Sequence, residues 1–290
     1  MKAWVAYAIV AIVWGSTYFA IALGIGSFTP WGMVSCRYLT GGLAALAVSR
    51  VSGEPLPGRR DVAHLMLQGV LMLTLSNALV TWAEESVSSG ATAVLCSTTP
   101  LFYAVMGRED LGLRGWGGLL LGLGGVGVLV LVRSSVQAVG LVGAGALLLA
   151  TFLWAWGTLH GRRHVKGRGL FGQVGVQMVT GGALALLLSP LNGGILHAPL
   201  TLKAALAVGY LAIFGSLVAF SAFVYISRAW APSRMSTYVY INPVVAVLLG
   251  CLVLGEPFNG SMVLGMAAIL VGVGLLQTQR VARTAAVASE

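Results

Sequence analysis

The chain carries little charge for its length. Of 290 residues only 9% are Asp, Glu, Lys or Arg, where a water-soluble domain carries roughly a quarter, so a water-soluble fold is excluded. Acid is scarcer still, 8 residues against 17 Lys and Arg, and no Asp or Glu falls in the middle of an apolar run. That lack disfavours two kinds of chemistry. A membrane-embedded enzyme needs His, Asp or Glu, or a nucleophile beside a base, clustered at mid-membrane depth. An antiporter trading protons for cationic drugs needs an ionisable group within a span. His64, His160, His164 and His197 also lie outside the span centres. The three cysteines, Cys36, Cys96 and Cys251, sit inside apolar runs and read as small buried hydrophobes, not as disulfides or ligands. No metal and no cofactor is expected.

What the chain does have is apolar surface, 58% hydrophobic residues with 40 glycines, at a mean hydropathy of +0.91. At about 20 residues per span, ten spans use roughly 200 to 220 positions and leave no room for a soluble domain. Ten runs fit, at about 3–25, 29–49, 63–82, 89–107, 115–132, 139–159, 170–189, 203–226, 235–254 and 260–279. The first is too long for a signal-peptide core and reads as a retained helix. Only helices and closed barrels satisfy the backbone in lipid, and the runs lack the alternation of barrel strands. The expected class is an all-α membrane protein with ten transmembrane helices.

Charge supplies an orientation. Of the 17 cations, 14 fall on one side of this topology: Lys2; Arg50, Arg59 and Arg60; Arg108 and Arg114; Arg162, Arg163, Lys166 and Arg168; Arg228 and Arg234; Arg280 and Arg283. Arg133 and Lys203 face the other side and Arg37 lies within the second span. The positive-inside rule then places both termini in the cytoplasm of a cell whose inner membrane holds the chain. Scattered over six short segments, these cations do not form a nucleic-acid surface.

The halves resemble each other. Cys36-Arg37-Tyr38-Leu39-Thr40-Gly41-Gly42 lies on Val176-Gln177-Met178-Val179-Thr180-Gly181-Gly182, which carries Trp14 onto Trp154. Pro100 meets Pro243, and Glu109 with the glycine run after it meets Glu256 with its own. Residues 1–135 and 136–290 are therefore expected to be two five-helix repeats, and five being odd, the second runs through the membrane inverted. Inverted repeats place a substrate site near the midplane between them.

The pieces Val13-Trp14-Gly15-Ser16, Arg37-Tyr38-Leu39, Thr98-Thr99-Pro100-Leu101-Phe102, Ile241-Asn242-Pro243-Val244-Val245 and Leu254-Gly255-Glu256-Pro257-Phe258, in this order over nearly the whole chain, resemble the EamA-type family of the drug/metabolite transporter superfamily. Within it the chain looks most like the YddG group of bacterial amino-acid exporters. The resemblance implies a multi-pass inner-membrane exporter of aromatic and other neutral amino acids, with the lipid bilayer as its surroundings. A monomer or weak homo-oligomer is expected. The shortened fourth span before Arg108-Glu109-Asp110 departs from the family pattern.

Candidate substrate residues are uncharged. Trp14 and Tyr18, Asn77 and Thr81, and Trp154 and Thr158 share helix faces at i,i+4, and Ser97, Thr98, Tyr240 and Asn242 flank Pro100 and Pro243. Both prolines are expected to kink their helices beside the cavity. Arg37 is either a substrate-carboxylate partner or a structural charge, an intramembrane ion being costly enough to raise the first reading. Glu84, Glu85, Glu109, Asp110 and Glu256 read as interfacial charges. Spans 5 and 10, with Gly118 and Gly122 and with Ala268 and Gly272 as small-xxx-small pairs, read as scaffold. An apolar, aromatic cavity with a few amides suits a zwitterion with an apolar side chain; Asn77→Ala or Asn242→Ala should then lower transport with little loss of folded protein. Exporters of drugs or other small metabolites on the same scaffold, and a passive channel, remain alternatives.

Overall fold

The computed structural model describes residues 2–87, 92, 95–133, 141–254 and 260–278. Glu256, the Glu256-Pro257-Phe258 piece, Arg280, Arg283 and the expected boundary at 135/136 lie outside the described residues. The fold is all-helical. Its main helices are α1 (Lys2–Gly24), α2 (Pro30–Val51), α3 (Arg59–Ala83), α4 (Thr99–Gly107), α5 (Gly112–Arg133), α6 (Leu141–His164), α7 (Leu170–Leu188), α8 (Leu202–Ala229), α9 (Tyr238–Leu254) and α10 (Gly260–Thr278), with a one-turn helix at Pro232–Ser236 before α9. Among the described residues, five are long and apolar enough to cross a membrane: α1, α3, α6, α8, and α7 with its 3-10 extension to Asn192. In lipid a helix is favoured because it closes every backbone hydrogen bond within one segment.

Local chemistry sets several helix starts. Thr29 caps α2 by accepting from Gly32 N (3.0 Å), with Pro30 in the first turn. Thr201 caps α8 by accepting from Ala204 N (3.2 Å). Pro100 stands in the first turn of α4, where its missing N–H is an orphan in any case, and a turn at Ser97 and Thr98 separates this helix from helical Leu95 and Cys96. Pro243 does lie inside α9. It frees the carbonyl four residues back, and Ser97 Oγ donates to that atom, Val239 O, at 3.3 Å.

Two helices widen into π-helical turns, α3 over Gly69–Ser76 and α8 over Leu211–Val218. The two stretches have equal length and start at Gly69 and Leu211, 142 residues apart. Nothing in composition announces them, because a π turn is one inserted residue in an otherwise helical run.

Packing between the halves is reciprocal. The helix α2 runs along α7, and α5 along α10. A methyl on Gly42 would meet Met178 Cβ at 2.8 Å, and one on Gly182 would meet Leu39 N at 2.7 Å. A methyl on Gly118 would lie 2.8 Å from Gly272 O, and one on Gly125 2.8 Å from Gly265 O. Gly42 of α2 thus meets α7 and Gly182 of α7 meets α2, while Gly118 and Gly125 of α5 both meet α10. Small residues let the backbones come this close.

The segments that connect the helices collect at two ends. At one end Glu54 Oε2 accepts from Phe171 N (2.8 Å), Asp61 from Gly167 N (2.7 Å) and Glu109 from Ser233 N (3.0 Å), while Arg162 donates to Trp230 O (2.8 Å). Burial pushes the Glu109 carboxyl above the usual carboxylate range, opposed by its bonds from Ser233. Arg234 sits over the ring of Trp230, 4.4 Å from its centroid. At the other end Thr29 N donates to Ile195 O (3.0 Å), His197 N to Ser27 O (3.1 Å) and Ser27 Oγ to Pro199 O (2.9 Å). The segments that the cation pattern assigns to one side thus meet at one end.

Candidate functional site

A cavity of about 110 Å³ lies among α1, α2, α3, α6, α8 and α9 and the start of α4, and among the described residues none of its wall comes from α5, α7 or α10. The π turns build much of it. Widening leaves backbone carbonyls without their helical donors, and side chains supply them. Trp14 Nε1 donates to Gly215 O (2.8 Å) in the π turn of α8, and Asn77 Nδ2 to Met72 O (2.8 Å) in that of α3. Trp14 is thereby fixed, and around it rings pack edge to face or tilted: Trp154 at 5.4 Å between centroids, Phe223 at 5.3 Å and Tyr238 at 5.1 Å.

Arg37 is the cation of this cavity. Its side chain is 7% exposed, Nε donates to Ser216 Oγ (2.8 Å) in the π turn of α8, and it lines the cavity with Tyr38. No ion pair is found for it among the described residues. Held through Nε, the guanidinium keeps its two terminal nitrogens for another acceptor, and that fork matches a carboxylate.

The residues expected at a site divide. Trp14, Tyr18, Asn77, Trp154 and Asn242 line the cavity with Arg37. Thr81, Ser97, Thr98 and Tyr240 do not. Thr81 Oγ1 donates to Asn77 O (2.9 Å) and Thr98 Oγ1 to Leu95 O (2.7 Å), both local backbone bonds. Tyr240 turns to α5, its hydroxyl donating to Leu119 O (3.1 Å), and Ser97 serves the carbonyl freed by Pro243. The two amides are also more structural than expected. In the orientation that satisfies its surroundings, Asn242 Nδ2 donates to Ala11 O (3.0 Å) and Tyr238 O (2.9 Å), and Asn77 is tied to Met72 O. Trp154 Nε1 is buried without a hydrogen-bond partner.

Sequence reasoning missed Thr17, Ser76, Thr99 and Thr151, four hydroxyls on the wall, because a Thr or Ser in a span gives no sign of which way it faces. It also missed Glu84. Following α3, this residue is only 9% exposed and both carboxyl oxygens lack a partner among the described residues, so its side chain is turned inward and is not an exposed interfacial charge. It stands seven residues after Asn77, near Tyr18 and Cys96 of the cavity wall. The i,i+7 relation to a polar residue was the available signal.

A second, more polar cavity of about 200 Å³ lies toward the basic end, with Gln68, Arg162, Gln173, Gln177 and Arg228 in its wall. The aromatic cluster separates the two: Trp14, Trp154 and Phe220 line the first and Phe223 lines the second. Gln177, which falls on Arg37 when the halves are aligned, lines the second cavity.

Comparisons with known proteins point one way. The chain is 35% identical over 271 residues to the uncharacterized inner membrane transporter YedA of Escherichia coli, covering 91% of this chain and 87% of that one. It is 26% identical over 250 residues to the uncharacterized transporter YdfC of Bacillus subtilis, covering 84% and 80%. A solved crystal structure shares the fold at a TM-score of 0.76 and 18% identity, covering 94% of this chain and 95% of that one. The model of the EamA-like transporter family matches twice, over residues 2–131 and 141–278, so the chain belongs to the EamA-like transporter family, a family of membrane transporters.

Proposed function

We propose that the protein is an inner-membrane exporter of aromatic and other neutral amino acids, working by alternating access. In this reading it has ten spans in two inverted five-helix repeats, with both termini in the cytoplasm. The observation that carries the substrate class is Arg37, a buried guanidinium anchored by Ser216 at the edge of an aromatic cavity. A ligand carboxylate would sit on the terminal nitrogens of Arg37, and an apolar side chain would lie among Trp14, Trp154, Phe220 and Tyr238. Bidentate, charge-assisted bonds of this kind are about twice as strong as neutral ones.

The repeat reading is supported by the double family match, the paired π turns and the reciprocal glycine contacts. Alternating access is supported by two cavities on opposite faces of one aromatic cluster. Rocking one bundle against the other would open the cluster toward either cavity in turn, while the close-packed pairs α2–α7 and α5–α10 hold the frame.

The amides donate through Nδ2 to backbone carbonyls, so Asn77 Oδ1 and Asn242 Oδ1 are the amide acceptors that would receive an ammonium. With no acid among the described residues of the cavity wall to pair that ammonium, a second reading is export of other small apolar metabolites or drugs that carry a carboxylate or none. Purified protein in liposomes separates the readings. Saturable flux of phenylalanine or leucine, lost with the corresponding amino-acid amides and in Arg37→Ala, is expected. Equal flux of acid and amide would sink the role of Arg37, and no saturable flux of any amino acid would sink the substrate class.

A further inference from the structure

We infer that His64, His160 and His164 form a binding site for a divalent transition metal of the zinc type. His64 lies in the second turn of α3. His160 and His164, four apart near the end of α6, share one helix face. The fold brings the three imidazoles together, each offering one ligand nitrogen, with all three atoms within 4.8 Å of one another. His64 Nδ1 and His160 Nε2 are 3.0 Å apart. Tetrahedral coordination at metal–nitrogen distances of about 2.0–2.1 Å puts ligand nitrogens roughly 3.3 Å apart. The close pair therefore opens by a few tenths of an ångström and the widest closes by about 1.5 Å, within the reach of side-chain torsions at a helix end.

Proton placement also fits. The His164 ring sets Nδ1 2.9 Å from His160 O, which holds the proton on Nδ1 and leaves the Nε2 lone pair free. A backbone carbonyl in that position is the usual way a metal-binding histidine is oriented. His64 and His160 now share one hydrogen. For both nitrogens to bind metal, the donor ring moves its proton to its other nitrogen, with no net proton loss. The His164 ring stacks on both others, at 4.8 and 4.3 Å between centroids, so it turns about its side-chain torsions for its Nε2 lone pair to meet the ion.

Three imidazoles without thiolate select zinc, nickel or copper over magnesium and calcium. Asp61, near His64, holds Lys166 N and Gly167 N and does not complete the shell, so the fourth position is open to water. His164 is exposed and gives the ion its entry. The site joins α3 to α6 beside the second cavity, whose wall includes Gln68, four residues from His64, and Gly161, next to His160. A bound ion would tie the two halves together at the basic end and slow the opening of that cavity. This consequence for flux rests on the transport reading above; binding itself does not.

The test is a zinc chloride titration of the purified full chain, free of tag histidines, against a chromophoric chelator, with melting temperature followed in parallel. One zinc per chain is expected, with no response to magnesium. His164→Gln, an exposed substitution that spares the fold, is expected to weaken binding at least ~10-fold, the minimum seen for losing even an outer-shell partner, and His64→Ala to do the same. Binding unchanged in both variants overturns the site. Zinc bound by the wild type but without effect on flux overturns the consequence for transport and leaves the site standing.

Discussion

A methyl group added at Gly272 tests whether α5 and α10 are a rigid frame. In α10 the new Cβ would lie 2.6 Å from Gly122 N and 2.7 Å from Gly118 O, both backbone atoms that no rotamer change can move. Ordinary contact needs about 0.8 Å more, so the helices must part, and a gap of 0.5–1 Å forfeits a quarter to a half of each dispersion contact along the seam. Overpacking of this kind costs roughly 1–3 kcal/mol, and backbone against backbone puts the cost near ~3. Alanine returns about 1 kcal/mol through its helix propensity, leaving a net loss of ~2 kcal/mol. Two residues on, Gly274 has open space around its Cα, and Gly274→Ala should be neutral or gain up to ~1 kcal/mol. At about 2–4 °C per kcal/mol, Gly272→Ala is expected to melt roughly 4–8 °C below the wild type and Gly274→Ala no lower than it. Thermal unfolding in detergent, read by tryptophan fluorescence, measures both. Because among the described residues none of the cavity wall comes from α5 or α10, the KM for substrate in liposomes should stay unchanged in Gly272→Ala. A Gly272→Ala protein that melts with the wild type would refute the close-approach argument.

Other substitutions probe the cavity. Asn242→Ala removes two side-chain bonds, to Ala11 O and Tyr238 O, and should cost ~1–3 kcal/mol at roughly 0.5–1.5 each, visible as lost folded yield, whereas a drop in flux alone would make the amide a substrate contact. Trp14→Phe removes the bond to Gly215 O and should cost about 1 kcal/mol. Trp154→Phe loses a similar ring volume but no bond of the Trp14 kind, so it should melt above Trp14→Phe, and comparison of the two melting curves decides it. Arg37→Lys keeps the charge but not the fork, so KM for a carboxylate substrate should rise at least ~10-fold with little change in melting temperature; an unchanged KM assigns Arg37 a purely structural role. Glu84, buried near Tyr18 and Cys96 of the cavity wall, tests proton coupling. Flux in liposomes is expected to respond to an imposed pH gradient in the wild type and not in Glu84→Gln, and a wild type indifferent to the gradient refutes that coupling.

Much of the frame was legible in the sequence because membrane helices follow from composition and length. Scarce charge and long apolar runs left no other way to close the backbone bonds. The glycines of the fifth and tenth runs marked a close approach because only they allow it. A likeness between the halves could be read from Arg37-Tyr38-Leu39-Thr40-Gly41-Gly42 and its counterpart, and Gly42 and Gly182 at its ends both stand at close contacts between α2 and α7.

Side-chain direction was not legible. Trp14 and Asn242 were expected to meet substrate, and both line the cavity, yet each also spends its donor on a backbone carbonyl. Which carbonyls are free depends on π turns that one inserted residue creates, and hydropathy does not register one residue. Pro100 and Pro243 look alike in sequence, but one opens a helix and the other interrupts one, since only the preceding turn decides whether the missing N–H had an acceptor. Glu84 reads as a surface acid because its neighbours in sequence are polar, while its neighbours in space, Tyr18 and Cys96, belong to other segments.

The sequence by itself therefore determined the solvent this protein folds for, its helices and the near-identity of pattern between its halves, all properties of local composition and period. Tertiary structure alone decided where the cavities lie, that Arg37 meets Ser216 and that His64 meets His160 and His164. Those pairings join residues 96 to 179 positions apart, and only helix packing brings such residues within the few ångströms over which hydrogen bonds and metal ligation act.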